Sequence, residues 1–84
     1  MQWPNWWTWD LELTPHLEKR MEDRQFTEVD LRSMLQEAYD FRPDVVEGRF
    51  VIASRRTGRG WEIIVEPDFE ESLLVVITAY PIDR

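Results

Sequence analysis

The spacing of hydrophobic and polar residues changes along the chain, and each change marks a structural element. From Trp7 to Leu13 every second residue is apolar, and this period of two is typical of an extended strand. We predict that residues 1–12 form a Trp-rich arm that docks on the domain's own core and adds an edge strand to a sheet. The alternative is a dimer interface, because clustered tryptophans also suit an exposed contact surface.

Two amphipathic segments over residues 13–39 predict a helical hairpin. Thr14, followed by a proline, fits the N-cap of the first helix. Thr27 fits the N-cap of the second helix, and Asp30 stands where a capping box has its acidic residue. The second helix is predicted to end near Ala38, and its apolar residues follow the 3.6-residue period: Leu31, Met34, Leu35 and Ala38.

The remainder of the chain predicts an antiparallel sheet over residues 49–80, after a loop at residues 40–48. Three strand candidates are separated by short polar turns: Arg49 to Arg55, Trp61 to Glu66 and Leu73 to Tyr80. The last candidate is apolar on both faces, so either the arm or a second chain is expected to pair with it. The predicted fold class is therefore α+β, with two N-terminal helices packed on a three-stranded antiparallel sheet (ααβββ), in a single domain of residues 1–84.

Composition narrows the range of functions. A net charge of −7 opposes non-specific binding of polyanions, although a run of arginines without acids lies between Gly48 and Trp61. With no cysteine and one histidine a transition-metal site is not expected, and no nucleotide-binding motif predicts a cofactor. The first residues have neither a basic region nor a long apolar run, so we expect a cytoplasmic protein without a membrane span.

One set of side chains could carry acid–base chemistry on a phosphodiester. His16 and Arg20 lie one turn apart on the first helix, where an imidazole could transfer a proton and a guanidinium could hold a phosphate. Arg49 opens the first strand just after Gly48, where a bound phosphate could reach it, and Thr78 and Tyr80 share one face of the last strand. The structural alternatives are a solvated helix surface, a strand-end ion pair with a neighbouring glutamate, and ordinary strand propensity.

The order of these features resembles a family of short bacterial proteins of uncharacterised function, over roughly residues 12–82. The matching segments include the H-x-x-x-R-M-x-x-R pattern of the first helix and run on to the last strand: His16 to Arg24, Phe26 to Leu31, Gly48 to Phe50 and Val75 to Tyr80. That family is in turn similar to the metal-independent ribonuclease folds of barnase, EndoU, the colicin nucleases and the RelE-like toxins.

The resemblance implies helices before an antiparallel sheet and RNA cleavage by the 2′-hydroxyl. It also implies His16 as general acid or base, Arg20 and Arg49 as phosphate ligands, and Thr78 and Tyr80 as auxiliary polar groups. The first hypothesis is thus a toxin-like endoribonuclease, with RNA as substrate and an antitoxin-like protein as partner. The second is a non-catalytic interaction or homodimerisation module that uses the Trp-rich arm and the apolar last strand.

Overall fold

The computed structural model describes residues 2–82, which form an α+β fold with one mixed sheet. The elements in chain order are a 3₁₀ turn Asn5–Thr8, β1 Asp10–Leu13, α1 Pro15–Asp23, α2 Glu28–Gln36, β2 Asp40–Pro43, β3 Phe50–Arg56, β4 Arg59–Asp68 and β5 Leu73–Pro81. The five strands lie in the order β1-β5-β4-β3-β2. β1 runs parallel to β5, and every other neighbouring pair is antiparallel.

The expected three-stranded antiparallel sheet is wrong, because the sheet is mixed and has five strands: the arm adds β1 at one edge, and β2, which was not expected, lies at the other. The missed strand β2 lies in the segment predicted to be a loop. That prediction followed from two turn-forming residues in the segment, Pro43 and Gly48. Asp40 and Pro43 are residue types depleted in strands, so β2 depends on its pairing with β3, which aligns Asp40 with Ala53. The chain order is consequently βααββββ rather than ααβββ.

The other added strand is β1, and it confirms that the N-terminal arm contributes an edge strand. Asp10 to Leu13 align in register with Leu73 to Val76. β5 therefore lies inside the sheet, between β1 and β4. This position accounts for its apolar character on both faces, and the arm rather than a second chain pairs with it.

Both helices begin at the predicted caps. The Thr14 hydroxyl accepts a hydrogen bond from the Leu17 N–H over 3.0 Å. At α2 the capping box is complete, because the Asp30 N–H donates to the Thr27 hydroxyl and the Thr27 N–H donates to the Asp30 carboxylate. That backbone hydrogen bond lowers the pKa of Asp30. α2 ends at Gln36, two or three residues before the predicted end near Ala38 or Tyr39.

The helices cover one face of the sheet, and the hydrophobic core lies between the two layers. Its fully buried members come from both helices and the inner strands: Leu17, Leu31, Met34, Ile52, Ile63, Val65, Leu74 and Val76. Trp6 is only 5% exposed and packs on Phe50 with ring centroids 4.9 Å apart, while Trp3 stacks on Trp7 at 4.2 Å. The arm thus docks on the domain's own core, as predicted from the sequence.

Candidate functional site

The face of the sheet opposite the helices carries polar side chains. On β4, Trp61, Ile63 and Val65 belong to the core that contacts the helices. Because side chains alternate along a strand, Glu62 and Glu66 lie on the opposite face, which we call the open face.

An irregularity in β5 determines which of its side chains share that face. Ile64 aligns with Thr78, but the next residue, Val65, aligns with Val76, so Ile77 is the extra residue of a β-bulge. After the bulge Ala79 is buried in the core, which places Thr78 and Tyr80 on the open face. Both residues were site candidates from the sequence, and the bulge places both side chains on the open face.

Three side chains from three strands form a hydrogen-bonded network on the open face. The Tyr80 hydroxyl donates to Glu62 Oε1 over 2.8 Å. Arg42 Nη2 donates to Glu62 Oε2 over 3.1 Å. The Glu62 side chain is only 13% exposed, whereas the Arg42 side chain is 58% exposed and reaches solvent. Arg42, Glu62 and Tyr80 are called the sheet-face triad below.

The environment of Tyr80 keeps its phenol protonated. Burial, followed by the hydrogen bond to Glu62 and the charge of that carboxylate, raises the pKa of Tyr80 to about 12. Arg42 acts in the opposite direction, and its effect is smaller than those three. At neutral pH this network therefore holds a carboxylate, a phenol with its proton and a guanidinium side by side.

Two members of the triad, Arg42 and Glu62, lie at a broad surface cleft of about 940 Å³ at the end of the sheet formed by the β3–β4 hairpin. Arg42 and Glu62 line one wall, and Arg59 and Gly60 line the hairpin side. The hairpin turn is tight, with φ of +49° at Thr57 and +79° at Gly58. The cleft is open to solvent and is large enough for a mononucleotide-sized group.

The remaining site candidates lie in two different layers of the fold, the helices and the open face of the sheet. His16 and Arg20 lie on α1 in the helical layer, where Arg20 Nη1 contacts Asp23 Oδ2 over 2.9 Å. Within residues 2–82, no hydrogen bond or ion pair joins His16 to another candidate. Arg49 lies toward the open face, and its Nε donates to Glu66 Oε1 over 3.0 Å, the strand-end ion pair considered from the sequence. Of the five candidates, only Tyr80 makes a direct contact within the sheet-face triad.

Two members of the triad were missed in the sequence. Arg42 lies in the segment taken for a loop, because the adjacent Pro43 and the nearby Gly48 are turn formers. Glu62 occupies a polar position of an alternating strand, which indicates exposure but not a partner. The Glu62–Tyr80 pairing depends on the strand register, and the bulge at Ile77 shifts that register by one residue.

Within residues 2–82, no group of three or more metal-ligating side chains lies close enough together to hold a metal ion. No helix in this part of the chain is both long and apolar enough to cross a bilayer.

The fold and the site define a small α+β domain with a polar triad on the uncovered face of its sheet. Comparison with known families then identifies the chain: the sequence model of the domain of unknown function DUF4258 matches residues 13–81, and the chain belongs to that family. No curated protein matches the chain, and no solved structure matches it. The family match does not test the likeness to ribonuclease toxins, which stays a prediction.

Proposed function

We propose that this domain is a metal-independent endoribonuclease whose reacting groups are the sheet-face triad. The observation that carries the proposal is a carboxylate and a guanidinium on the wall of a cleft, with a protonated phenol hydrogen-bonded to that carboxylate. Cleavage of RNA through its own 2′-hydroxyl needs a proton acceptor, a proton donor and a cation for the charged phosphorane, and Glu62, Tyr80 and Arg42 supply one of each.

The first step of the reaction uses neither water nor a metal ion. Glu62 accepts the proton of the 2′-hydroxyl, and O2′ forms a bond to phosphorus while the bond from phosphorus to O5′ breaks. Tyr80 donates its proton to the departing O5′, and Arg42 stabilises the negative charge on the phosphate oxygens. The products are a 2′,3′-cyclic phosphate and a 5′-hydroxyl. Glu62 then returns its proton to the Tyr80 phenolate along their 2.8 Å hydrogen bond, which restores both groups.

Cleavage of a synthetic oligoribonucleotide in EDTA tests this proposal, with the products identified by mass spectrometry. We expect a 2′,3′-cyclic phosphate end from the wild type and a loss of about 100-fold or more in rate for Glu62→Gln and Tyr80→Phe. Val45, fully exposed in the β2–β3 loop, provides the matched control Val45→Ala, which should cleave at the wild-type rate. Circular dichroism confirms that each variant is folded.

His16→Ala separates this site from the one expected from the sequence. Because His16 lies on α1, in the layer across the sheet from the triad, the variant should retain cleavage. Loss of cleavage in His16→Ala together with wild-type cleavage in Glu62→Gln would assign the reaction to α1 and exclude the triad. A wild-type protein that leaves RNA intact would exclude both.

The toxin-like role and its antitoxin-like partner are part of this proposal. The non-catalytic module is supported less well, because both surfaces that it was expected to use are occupied within the chain. Trp6 is buried in the core, and β5 is paired on both sides. Homodimerisation is tested directly by light scattering, where a monomer at high concentration excludes it.

A further inference from the structure

One exposed aromatic side chain lies at the rim of the cleft beside the triad. Tyr39 is 51% exposed and lines the cleft together with Arg42 and Glu62. Its backbone is fixed, because the Tyr39 N–H donates to the Ala53 carbonyl over 3.0 Å at the entrance to β2. The Arg55 guanidinium lies 4.8 Å from the centroid of the Tyr39 ring, in the arrangement of a cation–π contact.

We propose that Tyr39 and Arg55 form a stacking platform for one nucleobase of a single-stranded RNA. This inference rests on the proposed function and names its substrate class. Aromatic rings and guanidinium planes are the groups on which proteins stack unpaired bases. A base in a duplex is already stacked on both faces, so the platform selects single strands over double helices.

The charges around the platform are compatible with a phosphate backbone. Arg42 and Arg59 line the same cleft. The two acids on the wall, Asp40 and Glu62, are matched in charge by these two arginines, and Glu62 forms an ion pair with Arg42. The acidic β4–β5 turn, with Glu70 and Glu71, lies at the opposite end of β4 from the hairpin. A strand that crosses the cleft therefore avoids the most acidic part of the chain.

Binding of a fluorescent single-stranded 2′-deoxyoligonucleotide tests the platform without cleavage, since this probe has no 2′-hydroxyl. Fluorescence anisotropy at low salt should give a Kd about tenfold weaker for Tyr39→Ala than for the wild type. Tyr39→Phe keeps the ring and should bind like the wild type. Phe69 is 71% exposed at the far end of β4, and Phe69→Ala is the matched control that should leave the Kd unchanged.

The outcomes of the binding and cleavage experiments distinguish base stacking on Tyr39 from RNA cleavage at the triad. Equal Kd values for the wild type and Tyr39→Ala, or equal binding of the single strand and its duplex, would overturn the platform and leave the triad's cleavage untouched. Tyr39-dependent binding of the deoxy probe, combined with no cleavage of the ribo-oligonucleotide, would support the platform and overturn the proposed endoribonuclease.

Discussion

Tyr80 and Glu62 face each other across β5 and β4, and the Tyr80 hydroxyl donates to the Glu62 carboxylate over 2.8 Å. The contact joins a phenol that keeps its proton to a carboxylate at the wall of a cleft. Its formation depends on the bulge at Ile77, which sets the alignment of the two strands. Titration of Tyr80 therefore tests the alignment of β4 with β5 without a measurement of activity.

The first prediction is a dependence of stability on alkaline pH. The pKa of Tyr80 is raised from 10 in the unfolded chain to about 12 in the fold, so the folded protein holds this proton more tightly. The contribution is complete below pH 10 and is lost as the pH rises through 12. Tyr80→Phe removes the titrating group, so its free energy of unfolding should fall less steeply over this window than that of the wild type.

Spectrophotometric titration measures the same shift directly. Tyr39→Phe leaves Tyr80 as the only tyrosine, and its absorbance change should have a midpoint near pH 12. Adding Glu62→Gln removes a charge that favours the protonated phenol, so the midpoint should move toward 10. A midpoint of 10 in the single variant would contradict the contact between Tyr80 and Glu62.

The parts of the fold that were predictable depend on short-range signals. The caps at Thr14 and Thr27 follow from residue types within one helical turn, and both are present. The three strands of the expected sheet were found as runs between short polar turns, and the arm's edge strand was found from alternation; both signals are local. Of the candidate site, Thr78 and Tyr80 were correctly placed on one face.

The parts that could not be predicted depend on contacts between distant segments. β2 is four residues long, with Phe41 between Asp40 and Arg42, so its alternation is too short to identify a strand, and its pairing with β3 fixes it in the sheet. Arg42 therefore went unnoticed as a partner of Glu62, which lies 20 residues away. The two layers also separate His16 from Arg49, and no sequence spacing shows on which side of a sheet a helix packs.

The second prediction compares the two threonine caps. At Thr27 the side chain serves the helix end alone, so Thr27→Ala should cost about 1 kcal/mol in the free energy of unfolding. At Thr14 the hydroxyl also lies within hydrogen-bond distance of the Val76 and Ile77 carbonyls, at 3.1 and 3.2 Å. Its single proton can be donated to one of these at a time, and this bond adds about 1 kcal/mol, so Thr14→Ala should cost about 2 kcal/mol.

Urea unfolding followed by circular dichroism measures both costs. The variants share the same chemical change at the same helical position, so each is the control of the other. Equal costs would show that the Thr14 hydroxyl contributes nothing to the attachment of α1 to β5.

The third prediction concerns the Trp-rich arm, which lies outside the segment matched by the family model. Trp6 is 5% exposed and contacts Phe50 in the core, so Trp6→Ala removes a buried ring and should cost about 3–5 kcal/mol. A domain of this length has a total stability of roughly 4–13 kcal/mol, so the alanine variant can be largely unfolded. Trp6→Phe keeps part of the ring and should lose less stability, so its free energy of unfolding can be measured by urea unfolding.

The control variant is Val45→Ala, at a fully exposed position, and it should change the free energy of unfolding by less than about 0.5 kcal/mol. If Trp6→Phe and Trp6→Ala both unfold like the wild type, the Trp6 ring does not belong to the core.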